Sequence, residues 1–170
     1  MTYPTTAPSV SRSQARASVW AFLDVGANAN ANADTAPGLT GPAGLRLDTV
    51  SADRLIRRGI PSRVVSPLGE FLGLAKGTLA AYLDLDRSTA SRRAAKDQVL
   101  PTHAAEGVVR FLELDQMACD TFESEADASR WLRQPHPMLD GETPLETAKT
   151  GYGAQRVKDI LLAIKYGGVV

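Results

Sequence analysis

From Leu45 onward apolar side chains recur at intervals of three and four, and no segment sustains the apolar–polar alternation of a half-buried strand. Only short pieces such as Ser62–Ser66 are ambiguous. The pattern predicts a helix over Ser51–Arg58 with Leu55 and Ile56 inward, stopped by Gly59-Ile60-Pro61. Ser66-Pro67 reads as an N-cap with proline at the first helical position, ahead of Leu68, Phe71 and Leu72. Short helices follow at Thr78–Leu83 and Arg87–Lys96. Pro101-Thr102 opens a longer one with Phe111, Leu114, Ala118 and Phe122 along one side. Ser124 starts a helix carrying Trp131 and Leu132, and Gln134-Pro135-His136-Pro137 breaks it, because proline cannot continue a helix. Thr143-Pro144-Leu145-Glu146 is a full capping box. The last helix runs from about Ala154 to Lys165, with Val157, Ile160, Leu161 and Ile164 inward, and ends at Gly167-Gly168 before an apolar Val169-Val170 tail. The expected fold class is all-α.

Upstream the pattern fails. Residues 26–44 contain 4 Gly, 2 Pro, 6 Ala and 3 Asn. Only Leu39 could anchor them, so burial cannot offset the entropy of ordering the stretch. It reads as a flexible linker. Ahead of it Gln14–Val25 can form a short helix through Val19, Trp20, Phe22 and Leu23, too short to stand alone in water. An appended arm and an oligomer contact both fit this segment.

Composition narrows the class. Apolar residues make up 44% and charged residues 22%, as in an ordinary globular protein. No apolar run is long enough to span a bilayer. The first ten residues carry no Lys or Arg and precede no apolar stretch, which argues against a secretory signal. With one cysteine, Cys119, and two histidines, His103 and His136, the chain has no disulfide framework and too few ligands for a zinc or iron site. A cytoplasmic protein without metal or cofactor is expected. The net charge of +0 hides a division: residues 1–100 carry 12 basic and 8 acidic residues, and residues 101–170 carry 7 and 11. Such asymmetry hints that one half meets a polyanion.

The basic half holds a candidate motif. Residues Leu79–Arg93 resemble a helix-turn-helix, in which two short helices cross steeply over a three-residue turn. Ala80 supplies the small residue at the crossing, Leu85 the apolar turn residue and Ala90 the core-facing position, while Asp86 can cap the second helix. Arg87, Ser88, Ser91, Arg92 and Lys96 would then face outward as the DNA-binding residues, since arginine suits guanine edges and serine and lysine suit phosphates. Asp84 stands where many such turns have glycine, and Arg93 where an apolar residue is usual. Segment 45–100 carries 10 basic against 6 acidic residues, which favours phosphate attraction.

The C-terminal third adds a family resemblance. A Trp131-Leu132 helix, the turn His136-Pro137-Met138-Leu139-Asp140-Gly141, the run Thr143-Pro144-Leu145-Glu146, and a helix closing in Ile164-Lys165-Tyr166-Gly167 resemble the toxin-binding domain of Xre/MbcA/ParS antitoxins. Leu55–Pro61 resembles the start of the helix-turn-helix domain that precedes it in that family. The resemblance implies three regions: an arm and linker at 1–44, a helix-turn-helix domain at 45–100, and a toxin-binding domain with C-terminal tail at 101–170. It implies a type II antitoxin that covers the NAD cleft of a RES-type toxin, binds operator DNA for autorepression, and works as a homodimer within a toxin complex. Lys165, Tyr166, Gly167, Gly168, Val169 and Val170 are the candidate toxin-binding residues, with the tail entering the toxin's cleft. The seven acidic residues of 106–127, against one arginine, read as a solvated helix face in preference to a complement for the basic NAD-phosphate site that the resemblance implies in a RES-type toxin. Neither a phosphate-binding glycine loop nor a nucleophile elbow occurs, and His136 between two prolines reads as a rigid loop residue. No enzymatic activity is expected. The alternative is a stand-alone helix-turn-helix regulator whose C-terminal domain dimerises or senses a ligand.

Overall fold

The structure, a computed structural model, describes residues 12–23, 47–75 and 77–167. Among them the chain is all-α: α1 (Arg12–Leu23), α2 (Thr49–Arg58), α3 (Val65–Phe71), α4 (Thr78–Tyr82), α5 (Arg87–Ala95), α6 (Thr102–Phe122), α7 (Glu125–Arg133), α8 (Pro144–Thr147) and α9 (Gly151–Tyr166). Linker 26–44 lies outside the described residues.

Local signals explain most boundaries. Asp48, Asp86, Ser124 and Thr150 each accept a backbone N–H of the following turn, closing helix N-termini that would otherwise leave free donors. Gly59 ends α2 at φ +91, and a Cβ there would press on Val99 at 3.0 Å. The chain then makes one antiparallel bridge between Pro61 and Val99, with Leu100 N–H donating to Ile60 at 2.8 Å and Ser62 N–H to Gln98 at 2.9 Å. This pair of crossings ties the two ends of segment 60–100 together.

The entry to α3 differs from the expected Ser66-Pro67 cap. A 3-10 turn at Ser62–Val64 runs straight into α3, and no side chain caps it. Pro67 is tolerated because it sits in the first turn, where backbone N–H groups have no helical acceptor. The last helix also begins a turn earlier than its apolar spacing implied, because Thr150 caps it.

α6 is the axis. Ala104, Ala105, Val108, Val109, Phe111, Leu112, Leu114, Ala118 and Cys119 are all buried along it. α2 packs on its first half, and α7 and α9 pack along it. One hydrophobic cluster runs from α1 to α9, with Phe71, Phe111, Leu132, Leu145 and Leu161 among its buried members.

α1 is part of that cluster. Ala15, Val19, Trp20 and Leu23 are buried, and the helix lies on α3. Its other attachment is ionic. Arg12 donates through Nη2 to Asp115 of α6 at 2.7 Å, through Nη1 to the Glu125 carbonyl at 2.5 Å, and through Nε to the Phe71 carbonyl at 3.1 Å. Arg16 pairs with the Glu125 carboxylate, and both guanidinium groups lie over the Phe71 ring, at 5.0 and 5.9 Å. The intramolecular seat comes from α3, α6 and α7 together, which neither reading of α1 as an arm or as an oligomer contact included. Burial pushes the Asp115 carboxyl above its ordinary value, while the Arg12 and Arg16 charges work against that shift.

The acidic run 106–127 is accordingly not a plain solvated face. Asp115, Glu125, Glu113 and Asp127 are held in ion pairs with Arg12, Arg16, Lys158 and Arg130. The basic partners come from other segments or later turns, so the local charge count did not reveal them.

Removing one member of a buried pair strands the other in low dielectric. Asp115→Ala should lower unfolding free energy by about 3 kcal/mol in urea titrations. Replacing both partners, as Arg12→Met/Asp115→Leu, should recover most of that loss, because no desolvated charge remains.

Candidate functional site

α4 and α5 form the helix-turn-helix. Leu85 N–H donates to the Ala80 carbonyl at 2.8 Å, Leu85 and Ala80 are buried, and Ala90 packs against the core from α5. Asp84 adopts φ +53, the left-handed conformation for which glycine is usual and aspartate is tolerated. Asp86 accepts from Thr89 N–H at 3.0 Å and from the Ser88 hydroxyl, and these two bonds hold its carboxyl below the ordinary range. Arg93 occupies its usually apolar position by lying half-buried and donating to the Val99 carbonyl at 3.2 Å.

Four of the five expected DNA-facing residues fall in α5, and the fifth, Lys96, is its C-cap. Arg87 is the first residue of α5. Ser88, Ser91 and Arg92 are exposed at helical spacing on one stripe, and Lys96 is exposed at the C-cap. α5 also packs against the 3-10 turn, where Arg63 lies half-exposed, 3.4 Å from Asp97. Arg63 therefore lies beside the end of α5 with its charge paired to Asp97, a neighbour that linear spacing had not placed there.

The reading helices are fixed to the C-terminal part. Leu83 packs so closely on Gly107 of α6 that a Cβ there would meet its Cδ2 at 2.5 Å. Tyr82 stacks obliquely on Phe111 at 6.2 Å, and Lys149 Nζ lies 4.5 Å over the Tyr82 ring. Burial, then the Glu146 and Glu142 charges, push the Tyr82 phenol up.

Around α7–α9 the loops are rigidly specified. His136 is a loop residue: its N–H donates to Glu142 at 3.0 Å, its Nδ1 accepts from Met138 N–H at 3.3 Å, and its ring meets Trp131 edge-on at 5.7 Å. Thr143 and Glu146 make the reciprocal capping box, and the Thr143 bonds hold the Glu146 carboxyl below its usual value. Gly153 is required, because a Cβ there would run into the Thr147 carbonyl oxygen.

Of the expected toxin-binding residues, Lys165 and Tyr166 are exposed in the last turn of α9, and Gly167 caps it at φ +69. Tyr166 is thus the end of the helix, where the tail had been expected to begin. Gly168, Val169 and Val170 lie outside the described residues. Linear spacing missed Tyr152, which is 92% exposed on the first turn of the same helix.

Among the described residues no group of three His, Cys, Asp or Glu side chains is gathered as a metal site, and no helix is long and apolar enough to cross a membrane. The Cys119 thiol is buried and pushed up to about 12, chiefly by desolvation, so it is no nucleophile. A shallow groove of about 270 Å³ between α2, α6 and α9 holds Arg110 and Lys158, but these already bond the Lys149 carbonyl and Glu113.

Comparison with known proteins bears on both halves. Residues 51–113 match the antitoxin Xre-like helix-turn-helix domain, and residues 117–167 match the antitoxin Xre/MbcA/ParS C-terminal toxin-binding domain. The chain joins a DNA-binding module to a toxin-binding one. That pairing gives it the general function of a type II antitoxin, a regulator and not an enzyme. The two antitoxin domains meet inside α6, so a single helix serves both. The chain is 26% identical over 131 residues to a protein named Prs ADP-ribosylating antitoxin from Sphingobium sp. (strain YBL2), covering 72% of this chain and 82% of that one. It is 30% identical over 79 residues to Antitoxin Xre from Pseudomonas putida (strain KT2440), covering 46% of this chain and 50% of that one.

Thr143→Ala should cost the toxin-binding domain about 1 kcal/mol in thermal or urea unfolding, the usual worth of a helix cap. The Glu146 half of the box adds a pH dependence of known sign. Its folded carboxyl is depressed, so its stabilisation is present above the unfolded glutamate range and is lost as pH falls through the folded value. Glu146→Gln should flatten that acid limb.

Proposed function

We propose that this antitoxin neutralises a RES-type toxin that consumes NAD, by covering the toxin's active-site cleft, and that it represses its own operon as a cytoplasmic homodimer. The observation that carries the reading is the pair of domain matches on one chain, toxin-binding and DNA-binding, joined through α6. The name of the Sphingobium relative couples an antitoxin with ADP-ribosylation, and ADP-ribosyl transfer draws on NAD. That supports a NAD-dependent partner chemistry. The exposed stripe Ser88, Ser91 and Arg92, with Arg87 and Lys96, supports α5 as the element that enters the major groove. Two copies on paired half-sites would match the two-fold symmetry of a typical operator. In the C-terminal domain, Lys165, Tyr166 and the Gly167–Val170 tail are the part that enters the cleft.

Co-expression with the product of the adjacent gene tests the first claim. Cells carrying that product alone should lose NAD and stop growing, and the antitoxin should restore both and co-purify with it. An adjacent product that leaves NAD untouched would sink the RES-type reading. Deleting Gly167–Val170 should leave the unfolding transition in place while residual NAD consumption rises at saturating antitoxin. For DNA, Arg92→Ala/Lys96→Ala should weaken operator binding and make its log–log salt dependence shallower, by roughly one unit for each phosphate that no longer meets a cation.

A further inference from the structure

α5, the helix proposed to enter the major groove, has no buried anchor of its own. Thr89, Ala90 and Arg93 are its most enclosed described residues, and they are only half-buried. It packs chiefly on the 3-10 turn at Ser62–Val64 and less on α4. The chain leaving it is tied to that same turn. Ser62 donates its N–H and its hydroxyl to the Gln98 carbonyl, at 2.9 and 2.6 Å. Leu100 N–H donates to the Ile60 carbonyl at 2.8 Å, and Arg63 lies 3.4 Å from Asp97. Whatever fixes residues 58–64 therefore fixes α5.

α1 holds that segment. It packs on the 3-10 turn as well as on α3. At its C-terminal end the Phe22 ring lies 5.1 Å from the Arg63 guanidinium, and Arg58 donates through Nη2 to the Leu23 carbonyl. Its N-terminal end is gripped elsewhere: Arg12 bonds Asp115 of α6 at 2.7 Å, and Arg16 pairs with the Glu125 carboxylate of α7. One helix of 12 residues thus joins α6 and α7 to residues 58–64. It precedes both segments that match the antitoxin domains, 51–113 and 117–167, and belongs to neither. Its seat is also imperfect, because Arg16 Nε and Trp20 Nε1 are buried without an acceptor among the described residues. Such donors weaken the seat, so one substitution should release α1 before the α6 core opens.

We infer that α1 is a positioning element for DNA binding: it clamps residues 58–64 against the α6–α7 body and through them sets the orientation of α5. The inference rests on the reading of α5 as the helix that enters the major groove, and it gives the N-terminal arm a task. Arg12, Arg16 and Phe22 are positioning residues, acting through Asp115, Glu125 and Arg63. The physical need is precision. Side chains that read base edges work only when held to within about 0.5 Å, and a helix without a buried anchor obtains that precision from its neighbours.

The test uses the full-length chain, amide hydrogen exchange, and affinity for DNA taken from upstream of its own gene. Val19→Glu puts a charge into the apolar seat of α1. It should strip protection from α1, speed exchange in 59–66 and 87–99 at least tenfold, leave α8 and α9 unchanged, and weaken DNA binding about tenfold. Thr143→Ala, which destabilises the chain from a remote cap, should leave α5 exchange and DNA affinity at native values. A Val19→Glu chain with α1 released but α5 exchange and DNA affinity unchanged overturns the inference. So does Thr143→Ala producing the same losses, because general destabilisation then accounts for them. Where Val19→Glu does not fold, Phe22→Leu decides, since it keeps α1 apolar and removes only the ring beside Arg63. It should weaken DNA binding about threefold at an unchanged unfolding midpoint, and native affinity there refutes the clamp. A native chain that binds no DNA sinks the reading of α5, while the exchange rates still decide whether α1 holds it.

Discussion

The buried carboxylate of Asp115 constrains how this chain can fold. It stands mid-way along α6 with only 3% of its side chain exposed, and a charge there needs a partner. Arg12 provides it from more than a hundred residues upstream, bonding Asp115, the Phe71 carbonyl and the Glu125 carbonyl with three nitrogens of one guanidinium. Those acceptors belong to α6, α3 and the start of α7. One side chain therefore sets the mutual position of the first helix, the helix leading into the reading motif and the first helix after the axis. Such a pair costs desolvation and adds modest net stability, but it penalises arrangements that would leave Asp115 alone.

The second consequence concerns α6. Leu83 of the helix-turn-helix seats closely on its Gly107, and α7 and α9 pack along the same helix, with Lys158 of α9 paired to Glu113. A single hydrophobic cluster spans both, and Tyr82 bridges them between Phe111 and Lys149. The DNA-reading and toxin-binding modules are therefore packed parts of one body. α5 packs on α4 and the 3-10 turn, whereas α9 packs on α6 and α8.

The balance of charge follows the same division of partners. Part of the acidic excess of the C-terminal part is taken up within the fold, since Asp115, Glu125, Glu113 and Asp127 are each held in ion pairs, whereas Glu106, Glu123 and Asp159 are exposed. The positive excess upstream is distributed more unevenly. Arg12 and Arg16 are consumed inside the fold, whereas Arg92 on α5 and Lys96 at its C-cap stay exposed.

The sequence by itself determined the helices, their caps and the motif. The Thr143–Glu146 box, the Asp86 and Ser124 caps, and the stops at Gly59 and Gly167 act through bonds between neighbours three or four residues apart, which linear spacing records, whereas the Thr150 cap went unread. For the same reason the exposed stripe of α5 was legible, because its periodicity and its cap lie within ten residues. Ser66-Pro67 misled because a 3-10 turn entering α3 replaced a side-chain cap. Tertiary structure decided what depends on distant partners. It docked α1 on α3, turned a run of acidic residues into ion pairs, placed Arg63 beside α5, and left Tyr152 bare between two glycines. Burial and pairing are properties of three-dimensional neighbours, and no local pattern of residues carries them.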